Sequence, residues 1–170
     1  DAESLLAADK RTFHDITGDE LLLDHVHLNF RGNYILAANL VRQITNMLAE
    51  RFGRPKNSHE YLSEKECRQR LAFTGYDQHR IASQLFERFS RPPFTNQINH
   101  QKLIEQVKED LAALEIFTQR QGLMEADFQY RWALQQNDSD HWLHYNYAQL
   151  LQARGEQDQT AEELRSFISH

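Results

Sequence analysis

Asp24 and His27 have the types and the spacing for proton-transfer chemistry. They lie three apart in the segment Asp24-His25-Val26-His27-Leu28-Asn29-Phe30-Arg31-Gly32-Asn33. An imidazole set between a carboxylate and a hydroxyl can take the hydroxyl proton, while the carboxylate fixes the ring tautomer and stabilises the imidazolium. A tight loop at this separation brings the carboxylate to Nδ1 and leaves Nε2 for a nucleophile. Asn29 is then expected to cap a following helix and hold the loop still. The same stretch offers a second chemistry, because Asp24, His25 and His27 with His14 supply imidazole and carboxylate donors that suit zinc or non-haem iron. A His-x-His pair aims both rings at one ion only on a strand, and no spacing fixes a third ligand. The acid–base reading is preferred, with Asp24 and His27 as catalytic candidates and no metal or cofactor assigned.

The elements that must position this pair are readable from periodicity. Tyr34, Ile35, Ala38, Val41, Ile44, Leu48 and Phe52 form a 3.6-period stripe that Gly53 and Pro55 terminate, which predicts a helix directly after the motif. Ser4 to Ala8 reads as a short helix, and Glu20 to Leu23 as a short apolar run leading into Asp24.

The order Asp24, His27, Asn29, Gly32, Ala37 followed by an amphipathic helix resembles the Asp-x-x-His end of SGNH (GDSL) type serine hydrolases. Leu28 stands where many members have Pro. The resemblance implies that Asp24 is the acid and His27 the base of an esterase or acyl hydrolase acting on esters of carbohydrates, lipids or small molecules. It also implies a nucleophile in a Gly-Asp-Ser block and oxyanion donors from a backbone Ser, a Gly and an Asn, none of which precedes Asp24. Ser4 is the only upstream serine, without that context. The chain opens Asp1-Ala2-Glu3-Ser4-Leu5-Leu6 with no initiator Met, so it reads as a fragment whose parent binds the ester while the fragment itself is inactive. The parent's sheet would be missing, and the inner face of Tyr34 to Phe52 would be left uncovered and prone to self-association.

Three prolines, six glycines and apolar residues recurring three and four apart predict a mostly α-helical chain of about seven helices with little or no sheet. Lys56 to Glu60 reads as a polar linker. Ser63-Glu64-Lys65-Glu66 has capping-box spacing and opens a helix that Thr74-Gly75 stops. Asp77 is the expected N-cap of the next helix, carrying Ile81, Leu85, Phe86 and Phe89 and ended by Pro92-Pro93. A longer helix from Asn96 carries Leu103, Ile104, Val107, Leu111, Leu114 and Phe117, with Glu105, Glu109, Asp110 and Glu115 on a solvated face. Three regions are predicted: 1–55, the hydrolase-like remnant; 56–95, a helical linker region; and 96–170, a helical-repeat domain.

The last region resembles the tetratricopeptide repeat. His144-Tyr145-Asn146-Tyr147-Ala148 forms the core of a first helix, Leu151 fills a slot usually held by an aromatic, Gly155 sits at the turn, and Thr160, Leu164 and Phe167 take the packing slots of the second helix. The same register moved back by about 34 residues puts Ala126, Tyr130 and Ala133 in equivalent slots. The resemblance implies stacked helical hairpins that either recruit a protein partner or cap the fold. Trp132 and Trp142 with Tyr130, Tyr145 and Tyr147 are read as packing core rather than a peptide or sugar site. His100, His141 and His144 take surface or packing roles, and Cys67 that of a small buried apolar residue.

The net charge of -6 without a Lys/Arg block speaks against nucleic acid and anionic membranes as partners. No apolar run approaches the roughly 20 residues of a membrane span, and the single cysteine leaves the compartment open. Two function classes follow: a C-terminal piece of an SGNH-like ester hydrolase with a helical-repeat extension, or a non-catalytic helical-repeat interaction module.

Overall fold

The computed structural model describes residues 1–9, 12, 14–53 and 61–169. Pro55 and the expected linker Lys56 to Glu60 lie outside the described residues. Among the described residues there are eight helices: α1 (Ala2–Ala7), α2 (Phe30–Phe52), α3 (Glu64–Arg70), α4 (Gly75–Phe89), α5 (His100–Leu114), α6 (Arg120–Gln136), α7 (His141–Arg154) and α8 (Gln157–Ser169). Short 3-10 turns at Phe94–Asn96 and Glu115–Thr118 flank α5. Among the described residues there is no strand, only an isolated antiparallel bridge between Leu22 and Leu28. No described helix is long and apolar enough to cross a membrane. The chain packs as two units, Asp1–Cys67 and Arg68–His170.

In the first unit α2 is the organising rod. Asn29 caps its start through a bond from the Gly32 N–H, and Gly53, in the left-handed region at φ 59°, closes its end. Arg31 in its first turn grips two distant carboxylates, with Nη2 2.7 Å from Asp9 Oδ2 after α1 and Nη1 2.7 Å from Glu64 Oε2 at the start of α3. Such charge-assisted bonds from a planar fork fix direction as well as distance. The far half of α2 presents Leu40, Val41, Ile44, Met47, Leu48 and Phe52 as exposed side chains. The Ser63 capping box forms as its spacing predicts: Ser63 N donates to Glu66 Oε2 at 2.7 Å, and Glu66 N to Ser63 Oγ at 3.3 Å.

In the second unit the start of α4 departs from expectation. Thr74 is the N-cap, and Asp77 is the third helical residue of a capping box: Asp77 N donates to Thr74 Oγ1, and Thr74 N donates to Asp77 Oδ2 at 3.0 Å. Both residue types can cap a helix, and the reciprocal pair satisfies two orphan N–H groups where a lone Asp77 cap would satisfy one. Thr74-Gly75 is thus a start and not a stop. Likewise, α5 begins at His100 because Phe94–Asn96 is spent on a 3-10 turn after Pro92-Pro93.

The core of this unit joins Ala72, Ala126, Tyr130, Ala133, Leu143, Tyr147, Leu150 and Leu151, with Tyr76, Leu123 and Leu134 packed against it. The small Ala126 and Ala133 let α7 approach α6, and the Tyr130 and Tyr147 rings stack with centroids 5.3 Å apart. Gly155, at φ 79°, turns the chain from α7 into α8 through a conformation that side chains with a Cβ disfavour. The tryptophans, expected in this core, stand outside it: Trp132 is 39% and Trp142 59% exposed. Trp132 lies about 200° round α6 from Tyr130, and Trp142 rests on Phe167 and Tyr145 at the rim of the α7–α8 contact.

The buried polar centre of the unit is Asp77, 4% exposed, which takes the Tyr130 hydroxyl at 2.8 Å on Oδ1 in addition to its Thr74 bonds. Replacing Tyr130 with Phe leaves a buried carboxylate short of a donor and should cost about 1–3 kcal/mol. Thr74→Ala should cost about 1 kcal/mol through the lost cap. Urea unfolding followed at second-unit amides checks both; an unchanged midpoint for Tyr130→Phe would show that Asp77 does not depend on that hydroxyl.

Candidate functional site

The loop before α2 is a compact knot of backbone bonds. Gly18 O accepts from Leu21 N and Leu22 N, Leu23 N donates to His27 O at 2.7 Å, and Asn29 N donates to Leu21 O at 2.9 Å. Leu21 is fully buried beneath it. Asn29 joins loop to helix with one side chain: Nδ2 donates to Glu20 O at 3.0 Å while Oδ1 accepts from Gly32 N at 3.0 Å. Asn33 adds bonds from Nδ2 to Leu28 O and Asn29 O. The helix closes tightly on this knot at Gly32, where a Cβ would stand 2.6 Å from Leu21 O and 2.8 Å from Leu28 Cδ2. Only glycine fits that approach.

At the loop tip the predicted pair meets. Asp24 Oδ1 accepts from Val26 N at 2.9 Å and His27 N at 2.8 Å, a local aspartate turn that builds the bend. His27 Nδ1 lies 2.9 Å from Oδ1 and 2.8 Å from Oδ2 of the same carboxylate. The Asp24 side chain is 2% exposed and that of His27 59%. Burial pushes the Asp24 carboxyl up, but the Val26 and His27 N–H bonds and the imidazole outweigh it and bring it from 3.8 down to about 2. Asp24 is therefore ionised and can only accept, so Nδ1 must carry a proton and Nε2 is the basic nitrogen of the neutral ring. A general base needs that tautomer: one nitrogen is anchored and the other is available in an exposed ring.

The other sequence candidates fall differently. Ser4 lies in α1, where its hydroxyl donates to Asp1 Oδ2 at 3.0 Å beside the helix cap. His14 and His25 are exposed, and among the described residues no group of three His, Cys, Asp or Glu side chains gathers to hold a metal ion. Cys67 is half-buried in α3. Arg31, which braces the first turn of α2, carried no local signal, because its partners are 22 and 33 residues away.

The chain matches no protein-family model, no curated protein and no solved structure.

Two measurements follow from the loop geometry. With its folded value about 2 against an ordinary 3.8, Asp24 contributes stability in full above its ordinary value and loses it as pH falls through the folded one. Acid titration of first-unit amides should show that loss, and Asp24→Asn should flatten it. The same substitution lets the new amide donate to Nδ1, so the neutral His27 ring should move its proton to Nε2. Imidazole 15N shifts at about pH 8.5, where histidine rings are mostly neutral, distinguish the tautomers; an unchanged pattern would break the assignment.

Proposed function

We propose that the first unit is the acid–base end of an SGNH-type ester hydrolase, with His27 as general base and Asp24 as the acid that orients it. The second unit is its helical, tetratricopeptide-like extension. The observation that supports this most is the contrast within the pair: the Asp24 carboxylate is sealed from water and bonded to Nδ1, while the ring it holds is more than half exposed. Asn29 and Gly32, the other positions of the resemblance, support it further by fixing the loop on α2. In the reaction, a serine hydroxyl would give its proton to Nε2 as it attacks the ester carbonyl, and His27 would return it to the leaving alkoxide. The nucleophilic serine and the oxyanion donors that this reading requires lie outside the Asp24–Gly32 segment.

A second reading, a non-catalytic helical-repeat interaction module, is favoured by one feature of the second unit. A cleft of about 650 Å³ opens between α6, α7 and α8, with Arg131, Tyr147, Gln159 and Glu163 among its walls. In that reading the Asp24 loop serves only to start α2.

The coding sequence upstream of Asp1 separates them. The hydrolase reading expects a Gly-Asp-Ser block there, and the extended protein should cleave a p-nitrophenyl acyl ester. His27→Ala should lower kcat by about 10³-fold or more, and Asp24→Asn by a comparable factor. The 170-residue chain alone should show no turnover. An upstream sequence with no such serine, or an esterase indifferent to His27→Ala, would leave the interaction reading standing.

A further inference from the structure

His144 sits in the first turn of α7 and is 8% exposed, and both of its ring nitrogens are engaged. Nδ1 lies 2.6 Å from Glu163 Oε2 on α8, and Nε2 lies 2.7 Å from the backbone carbonyl oxygen of Asp138 in the turn between α6 and α7. One side chain thus joins three successive pieces of the hairpin stack. Neither partner can donate: a carbonyl oxygen never does, and an ionised carboxylate does not. A neutral imidazole has one N–H and one lone pair, so it can satisfy only one of the two contacts. The other would place a lone pair against an acceptor at 2.6–2.7 Å, the situation that makes buried polar groups costly. The arrangement requires one more proton than a neutral ring with an ionised glutamate provides.

We infer that His144, Glu163 and the Asp138 carbonyl form a proton-operated latch that tightens α8 on the α6–α7 hairpin when protonated and loosens it when the proton leaves. The pair shares the proton, so the latch closes whether the charge is drawn as imidazolium and carboxylate or as neutral ring and carboxylic acid.

The surroundings assign the titration to this pair. Glu162 on α8 and the Asp138 and Asp140 side chains in the turn are the carboxylates nearby, and Asp140 is engaged as the α7 cap. On α7, Tyr147 donates to Asp127 at 2.7 Å and is pushed well above the ordinary tyrosine range by burial and that bond; His141 is a further imidazole on this element. From α6, Arg131 reaches toward α8 through Gln159 and remains charged. Burial lowers the affinity of His144 for a proton, but the bond to Glu163, the Asp138 carbonyl and the two negative charges outweigh it, so its pKa is raised above 6.5. For a raised value, the stabilisation is complete below the unfolded pKa and is lost as pH rises through the folded one. The latch therefore opens toward alkaline pH. Tyr147, Glu163 and Asp138 also line the cleft between α6, α7 and α8, so the latch forms part of its wall.

The test is a pH series on the full chain, following the His144 ring by NMR and the amide exchange of α8 expressed as protection relative to α5 in the same unit. His144 should titrate above the ordinary histidine range. Relative protection of α8 should fall as pH rises through that point, by up to about tenfold for each unit of elevation. Glu163→Gln supplies the discriminating arm: its amide can donate to the Nδ1 lone pair while Nε2–H still serves Asp138, so a neutral ring satisfies every contact. In that variant α8 should stay protected at high pH, and the step should vanish. Parallel protection of α8 and α5 across the series in the wild type would overturn the latch, and so would a step that survives Glu163→Gln, since it would belong to another group such as His141. The wild-type arm decides even if the variant fails to fold.

Discussion

A carboxylate removed from water must have its lone pairs filled by donors, and this constraint shapes the local structure of both units. Asp24 meets it with two backbone N–H groups and an imidazole, and so bends the loop that precedes α2. Asp77 meets it with the Thr74 backbone and hydroxyl and the Tyr130 phenol, and so starts α4 and ties it to α6. Asp127 meets it with the Tyr147 hydroxyl and the guanidiniums of Arg131 and Arg154, which join α6 to α7. In each case the cost of desolvation is offset only if several donors arrive together, so the acid dictates where neighbouring elements go.

That constraint also explains how Asp24 can serve a neighbour. A carboxylate with open lone pairs would draw water and compete for the ring. Asp24 has its oxygens committed to a bend only three residues long, and His27 is delivered to it by the same turn. Local chain geometry does what distant packing does in many acid–base pairs, and the ring can stay exposed without losing its orientation.

What the sequence disclosed is what short-range rules govern. The i,i+3 spacing of Asp24 and His27, the Asn29 cap, the Ser63–Glu66 box and the apolar periods of α2 and α6 all lie within one or two turns of chain. Their physics is complete at that range. The misreading at α4 arose within the same range, because Thr74 and Asp77 are both capping types and only the reciprocal bonding decides which residue is the cap. The tryptophans failed for another reason: large aromatic side chains suit both cores and rims, and helix phase relative to Tyr130 and Leu143 determines which. Long-range partnerships left no trace. The grip of Arg31 on Asp9 and Glu64, the seat of Gly32 against Leu21 O, and the His144–Glu163 contact each join residues whose proximity follows only from the finished packing.

The junction at Asn29 and Gly32 has a mechanical consequence. The loop is joined to one end of a helix of 23 residues, about 35 Å long at 1.5 Å per residue. A rotation of about 5° about this junction would sweep the Phe52 end through roughly 3 Å. The exposed apolar half of α2 is thus the long arm of a lever whose short arm carries His27. A push along Leu40 to Phe52 would thus be felt at the loop that carries His27, through the Asn29 bonds that join the two.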